Sequence, residues 1–190
     1  MIEKVRIKTP FRPVYPSPAA LIVSADEHNM LAGEVFNIGL KNPTIIGIAI
    51  RPDTYTHSLI TKTMEFTVNF PTVNIMEKVD LVGTISGRDG LDKFAEYKLT
   101  ALKSDEVVPP IIEECPVNLE CKALNITPVG DHDLILGEVV AMHVDADKLG
   151  ENQRVLIERV NGFLYAEWEY YSFGKKIGEF RYTRKKKEEE

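Results

Sequence analysis

A strand that runs into a polar turn and a short helix is encoded by residues 44–60, TIIGIAIRPDTYTHSLI. Thr44 to Ile50 are apolar and β-branched, so they predict a strand buried on both faces. Arg51 to Ser58 then bring together an arginine and several hydroxyl groups at the start of a helix, an arrangement that binds anions. The same residues also fit an ordinary strand-to-helix turn capped by Thr54 or Thr56.

Other short strands flank this stretch, and helical patterns are few. Residues 65–70, EFTVNF, alternate with Phe66, Val68 and Phe70 on one face, which is typical of a half-buried strand. Further strands are predicted at 19–24, 119–126, 133–144 and 162–173, and short helices at 55–64, 74–82 and 89–97. Many strands with scattered short helices indicate a mainly β barrel or sandwich rather than a doubly wound α/β sheet.

Composition limits the classes of partner. The chain has 190 residues with 23 basic and 29 acidic groups, a net charge of −6. The length predicts one domain over residues 1–180 with a charged tail at 181–190. The negative charge predicts that nucleic acid is not a partner. Cys115 and Cys121 lack zinc-site spacing, so no metal is expected. No apolar run approaches the ~20 residues of a membrane span, and Met1–Arg6 lacks a signal-peptide pattern, so a cytoplasmic protein is expected.

Common catalytic fingerprints are missing from the sequence. It contains no dinucleotide-binding Gly-x-Gly-x-x-Gly, no P-loop and no Gly-x-Ser-x-Gly. The four histidines are scattered and do not form a metal-ligand pattern. What remains is a set of polar groups at predicted strand ends: the turn after residue 50, a basic loop with Ser86, Gly87, Arg88 and Lys93, and a turn at Gly130–Asp133.

The order of these segments resembles the flavin reductase-like family of FMN-binding split barrels, which includes flavoredoxins. Each segment alone is degenerate, but their common order and spacing are specific, and together they span residues 14–178. The segments are 14–22 (VYPSPAALI), 29–36 (NMLAGEVF), 42–50, 51–60, 65–71, 83–88 with 92–94, 119–121, 130–132 and 137–140.

The resemblance implies a mainly β fold, a split β-barrel with a few short helices, that forms a homodimer with FMN near the interface. Carried over by position, three groups of residues hold the cofactor, while His132 lies near the nicotinamide or flavin edge as the candidate catalytic residue. The groups are Gly33, Glu34, Val35 and Phe36 at the ring; Arg51, Tyr55, Thr56 and His57 at the phosphate; and Ser86, Gly87 and Lys93 on the opposite side, with Tyr171, next to Tyr170, in a segment that reaches toward a flavin.

Glu34 departs from the commoner family pattern. A carboxylate facing the ring would oppose the negative charge of reduced flavin, so we expect Glu34 to point away or to contact flavin through its backbone. For function, the resemblance implies an NAD(P)H-dependent flavin or ferric reductase, with NADH or NADPH as co-substrate. Two alternatives stay open: a flavoredoxin-type electron carrier that serves a redox partner protein, and a non-enzymatic flavin-binding module.

Overall fold

The described part of the chain folds as an antiparallel β-barrel with short helices. The structure is a computed structural model that describes residues 4, 6, 16–25 and 29–181, apart from the Asp89 side chain. The expectations for most of the first fifteen residues, for His28 and for the tail beyond residue 181 lie outside the described residues. The division into residues 1–180 and a tail therefore stays a prediction.

Among the described residues the first strand begins at Ser17, and short helices lie between the strands. The elements are β1 (Ser17–Ser24), β2 (Met30–Leu40), β3 (Thr44–Ile50), α1 (Tyr55–Thr63), β4 (Glu65–Phe70), α2 (Met76–Thr84), α3 (Lys93–Tyr97), β5 (Ala101–Leu102), β6 (Ile111–Ile112), β7 (Val117–Val129), β8 (His132–Val144), α4 (Ile157–Val160), β9 (Phe163–Ala166) and β10 (Glu169–Ser172).

Six strands close the barrel in the order β1-β2-β3-β8-β7-β4, because β4 returns to pair with β1. Every pairing is antiparallel, with Val35 opposite Ile48 and Ile48 opposite Ile135. The β9–β10 hairpin attaches to the start of β1. The mainly β split-barrel prediction is therefore confirmed.

Alternation along the strands fills the barrel interior with aliphatic side chains. Ile22, Ile48, Phe66 and Ile135 belong to this core, and Ile60 of α1 is buried with them. The prediction that residues 44–50 are buried on both faces is wrong at Ala49, which is exposed. An antiparallel barrel strand has one face inside and one outside, so an apolar outer residue need not be covered.

A second core lies outside the barrel, under α2 and α3. Leu21 and Val23 of β1 pack there with Val79, Val82 and Phe94. These helices cover the outer side of β1 and β2 and bring the segment from residue 86 to residue 93 next to the β3–α1 turn. Among the described helices, none combines the length and apolar character needed to cross a membrane.

Candidate functional site

A polar cleft opens where β2 begins, α1 begins and the segment after α2 passes. Its volume is about 380 Å³, and it combines three distant parts of the chain. The lining residues are Asn29, Leu31, Arg51, Asp53, Thr54, Tyr55, Thr56, Ser86, Gly87 and Lys93. The structure thus brings together six of the residues that the sequence indicated for cofactor binding, namely Arg51, Tyr55, Thr56, Ser86, Gly87 and Lys93.

The β3–α1 turn presents a helix N-terminus to this cleft. Thr54 has extended backbone angles, and its hydroxyl oxygen accepts the backbone N–H of His57 at 3.2 Å. Thr54 is thus the cap that the sequence allowed. The capped turn and the anion site are compatible, because the N–H groups at the start of a helix have no partner within it.

Two arginines donate hydrogen bonds to Asp53 at the mouth of the cleft. Arg51 donates to the carboxylate through Nε at 3.1 Å and through Nη2 at 2.7 Å. Arg88 donates to the backbone carbonyl of Asp53 at 2.8 Å. The hydrogen bonds from Arg51 lower the pKa of the Asp53 carboxyl. This arrangement holds both guanidinium groups beside the helix N-terminus.

Lys93 brings a buried ammonium to the cleft. It is only 2% exposed, and its Nζ donates to the carbonyls of Met30 and Val82, both at 2.9 Å. Burial lowers the pKa of Lys93 to about 8. Among the described residues no carboxylate forms an ion pair with it. An ammonium has three donors, so this group can still bind an anion, and an anion would offset the cost of its desolvation.

Asn29 links the three parts of the cleft, although the sequence analysis did not single it out. Its Nδ2 donates to Thr56 Oγ1 at 2.9 Å and lies 3.4 Å from Ser24 Oγ. A Cβ at Gly87 would lie 2.4 Å from Asn29 Oδ1, so the main chain at Gly87 packs against this amide. A polar residue placed directly before an apolar strand was the one sequence signal for it.

The two candidate histidines lie beside the cleft and do not line it. His57 Nε2 is 2.8 Å from Asp133 Oδ2, which ties α1 to β8. His132 follows the β7–β8 turn, where its Nδ1 is 2.9 Å from Asp131 Oδ1. The charge of Arg51 contributes to the lowered pKa of Asp131, after the larger effect of the His132 hydrogen bond. His132 is therefore near the mouth of the cleft.

The β2 residues indicated for the ring also lie outside the polar cleft. Gly33 faces the barrel interior, where an added Cβ would be 2.9 Å from Ile22 Cδ1, and Val35 is buried in the same core. Successive strand residues alternate, so Glu34 and Phe36 lie on the outer face. Val35 and Phe36 also line an apolar pocket of about 270 Å³ at the other end of the barrel.

The tyrosines of β10 do not line the cleft. Tyr170 donates to Asp80 Oδ1 at 2.8 Å and packs against the second core. Burial, the Asp80 hydrogen bond and nearby charge raise the Tyr170 pKa. Tyr171 is about half exposed and donates to Glu169. The Tyr170 contact attaches the β9–β10 hairpin to α2.

One cluster of metal-ligand types lies elsewhere, where atoms of Asp105, Glu120 and His143 are within 4.8 Å of one another. Glu120 is fully buried, and its carboxylate accepts the backbone N–H groups of residues 105, 106 and 107 at 2.9, 2.6 and 3.1 Å. His143 Nε2 is 2.6 Å from the same carboxylate. With four partners already in place, Glu120 anchors a loop, and the expectation that the protein has no metal site stays a prediction.

Comparison with known proteins now identifies the family. The sequence pattern of the flavin reductase like domain matches residues 12–174. The chain belongs to the flavin reductase-like family. An uncharacterised protein of Archaeoglobus fulgidus is 38% identical over 140 residues, 73% of this chain and 78% of its own.

Two further family relatives bear on the chemistry. The flavoredoxin of Desulfovibrio vulgaris (Miyazaki F) superposes with a TM-score of 0.87 at 26% identity, covering 96% of this chain and 100% of that one. A protein of Streptomyces pristinaespiralis named NADH:riboflavin 5′-phosphate oxidoreductase is 28% identical over 65% of this chain and 69% of its own. The flavin reductase-like family thus includes flavin-dependent oxidoreductases and flavoredoxins with this barrel.

Proposed function

We propose that this flavin reductase-like protein binds FMN and acts as an NADH- or NADPH-dependent flavin or ferric reductase. The observation that carries the proposal is the buried Lys93 ammonium, which lines the cleft with backbone carbonyls as its partners. A phosphate monoester supplies the opposite charge that this ammonium lacks among the described residues, and FMN ends in such a phosphate. Family membership supports a flavin as the molecule that carries it.

In this proposal several groups of the cleft bind the phosphate. Lys93 provides a fixed charge, and the first N–H groups of α1, at Tyr55 and Thr56, provide donors along the helix axis. Arg51 is exposed and forms an ion pair with Asp53. In this proposal its guanidinium group exchanges the Asp53 carboxylate for the phosphate, which carries more negative charge. Ser86 and Gly87 bound the opposite wall of the cleft.

Residues of β2 would then hold the flavin ring. Leu31 of this strand lines the phosphate cleft, and Gly33 and Phe36 follow about 7 and 16 Å farther along at ~3.3 Å per residue. Glu34 points outward on this stretch. We therefore propose that residues 33–36 contact the ring mainly through their backbone, whereas the resemblance implied that only part of this contact is through the backbone.

Bound FMN supplies the redox chemistry, accepting hydride from the reduced nicotinamide and passing electrons to an acceptor. The residues of the cleft and of β2 would hold and orient the flavin. Hydride transfer requires no protein acid or base, which agrees with the lack of a catalytic constellation in the sequence. His132, at the turn beside Arg51, is proposed to contact the nicotinamide or flavin edge.

The proposal includes a homodimer and a cytoplasmic location. Exposed apolar side chains on the outer face of β2 support a second copy as partner. Cys115 and Cys121 are buried and unpaired, as expected for a protein in a reducing compartment. A redox partner protein is a further proposed contact, since reduced flavin needs an acceptor.

Spectroscopy of the purified protein tests the proposal. We expect flavin absorbance, or saturable quenching of FMN fluorescence on titration, and bleaching of the bound flavin by NADH or NADPH. Replacement of Arg51 by Ala should weaken FMN binding, and His132→Ala should slow bleaching without changing FMN affinity. A protein that binds no FMN refutes the function. One that binds FMN but is bleached by neither nucleotide is instead a flavoredoxin-type carrier.

A further inference from the structure

The hydroxyl of Thr56 has a defined hydrogen-bond polarity. Thr56 is 3% exposed and lines the cleft. Asn29 Nδ2 lies 2.9 Å from Thr56 Oγ1. An amide nitrogen can only donate, so the threonine oxygen must be the acceptor in this contact. The hydroxyl hydrogen of Thr56 is therefore directed to some other acceptor.

The remaining hydroxyl groups of α1 behave differently. Ser58 donates to Tyr55 O at 2.7 Å, and Thr61 and Thr63 donate to the carbonyls four residues earlier at 2.9 and 3.1 Å. This is the usual local contact of a hydroxyl inside a helix. Thr56 instead has Asn29 as its recorded partner, and its side chain borders the cleft at the second residue of the helix.

The orientation of Asn29 is fixed by its surroundings. Asn29 is 2% exposed, and its Oδ1 side packs against the main chain at Gly87 while its Nδ2 side faces Thr56 and Ser24. Rotation of the amide by 180° would exchange oxygen and nitrogen and lose both donor contacts. The next residue in the chain supplies the carbonyl that holds Lys93, so Asn29 stands between the two buried donors of the cleft.

We propose that Asn29 is a positioning residue that turns the Thr56 hydroxyl into the cleft as a hydrogen-bond donor to the phosphate of the flavin. The inference rests on the proposed function, since it assumes that the cleft binds FMN by its phosphate. Asn29 acts through that hydroxyl. It sets the direction of a donor that would otherwise be free to rotate.

The test compares FMN with riboflavin, which has the same ring and no phosphate. Kd values for both are measured by fluorescence titration for the wild type, Asn29→Leu, Thr56→Val and the double variant. We expect each single variant to weaken FMN binding roughly tenfold or more and to leave riboflavin binding unchanged. The double variant should be no more than about twofold weaker than Thr56→Val, because Asn29 acts through that hydroxyl.

Two further variants keep the test decisive. Ser24→Ala removes a different Asn29 contact and should keep the FMN-to-riboflavin ratio. If Asn29→Leu does not fold, Asn29→Asp replaces it. A carboxylate accepts the Thr56 hydroxyl hydrogen, so this variant should lose the preference for FMN over riboflavin. Adding Thr56→Val to Asn29→Asp should then reduce the FMN affinity little further.

The outcomes separate the two proposals. Folded Asn29 variants that keep the wild-type ratio, or losses that add in the double variant, overturn the positioning role while FMN binding stands. A wild type that binds FMN no more tightly than riboflavin overturns the proposed phosphate site and this inference with it.

Discussion

Lys93 differs from a surface lysine because α2 and β2 enclose its ammonium and give it two carbonyls as acceptors. Burial favours the neutral amine, which is why the pKa falls to about 8. A phosphate favours the charged form. The proposed binding of FMN above pH 8 should therefore be accompanied by proton uptake at this side chain.

The first prediction concerns the pH dependence of flavin affinity. FMN affinity of the wild type should be flat from pH 7 to about 8 and then fall, by up to about tenfold per pH unit. Lys93→Met should bind FMN more weakly and lose this decline. Fluorescence titrations from pH 7 to 9.5 measure it, with riboflavin as the phosphate-free control. An equal decline in Lys93→Met would contradict the assignment.

The lowered pKa of Lys93 also makes its contribution to the stability of the folded protein depend on pH. In the unfolded chain Lys93 keeps its proton up to its ordinary pKa of 10.5, whereas in the flavin-free folded protein it loses the proton near 8. Between these pH values the unfolded state binds more protons, so the contribution of Lys93 to folding becomes more favourable as pH rises.

The burial of Lys93 could not be predicted from its local sequence. It begins a five-residue helix in a polar stretch, where a lysine normally faces solvent. The carbonyls that hold it come from Met30 and Val82, far away in sequence, and only the tertiary packing brings them together. The family resemblance indicated this residue, whereas Asn29, with the same kind of long-range contacts, was missed.

The turn at Gly87 lets the third part of the cleft approach Asn29. An alanine Cβ there would lie 2.4 Å from Asn29 Oδ1. We predict that Gly87→Ala displaces the amide, reduces the free energy of unfolding by about 1–3 kcal/mol and weakens FMN binding more than riboflavin binding. Gly174→Ala is the control, since nothing lies within 4 Å of its added methyl group. Equal stability and affinity for both variants would refute the close packing.

Glu120 of β7 fixes the loop between β5 and β6. Burial raises its pKa, but the N–H groups of Asp105 and Glu106, together with His143 and Val107, outweigh that effect and leave the pKa below its ordinary value. Its stabilising contribution is thus complete above about pH 4.3 and is lost as pH falls through the lower pKa of the folded state.

For Glu120→Gln we predict a loss of about 1–3 kcal/mol in the free energy of unfolding at pH 7, because a neutral amide cannot accept all of these bonds. Denaturant unfolding at pH 7 and at acidic pH measures it, and the difference from wild type should shrink in acid. Glu113→Gln, on an exposed side chain of the same region, is the control. If the difference in the free energy of unfolding between Glu120→Gln and the wild type does not depend on pH, the ionised carboxylate is not the stabilising group.

The elements most visible in the sequence were those with plain periodicity. β3, α1 and β4 lie close to where the pattern placed them. Residues 162–173, predicted as one strand, are instead the β9–β10 hairpin, which turns at Glu167 and Trp168 with φ of 49° and 68°. Such turns normally contain Asn or Gly, so their sequence signal was absent.

The second helix shows a similar limit. The spacing of Asn74 and Glu77 in the sequence predicts a capping box for the helix at 74–82, but a 3₁₀ turn occupies Val73–Ile75, and α2 starts at Met76 without a side-chain cap. The expected box is therefore wrong. Packing of Val79 and Val82 into the second core holds this helix, and a local capping signal cannot report such tertiary contacts.

The whole molecule is acidic, with a net charge of −6, yet its proposed cofactor is an anion. Lys93, Arg51 and Arg88 concentrate positive charge at one cleft, so the local field opposes that of the rest of the protein. The buried ammonium is shielded from salt and the two exposed arginines are not. The net charge therefore argues against a nucleic-acid partner, which stays a prediction, but it does not argue against a phosphate-bearing cofactor.

The outer face of β2 leads to the last prediction. Phe36 and Ile38 are 46% and 47% exposed, and both lie over Gly47, where a Cβ would be 2.5 Å from the Phe36 ring. Paired apolar side chains flat against a barrel wall are typical of an interface between subunits. We predict that the 21.4 kDa chain forms a homodimer. Ile38→Lys should dissociate this dimer, which sedimentation equilibrium measures. If the partner completes the site, the variant should also bind FMN more weakly. Val108→Lys, at an apolar residue of the β5–β6 loop that is more exposed than Ile38, should stay dimeric. A monomeric wild type would contradict the prediction.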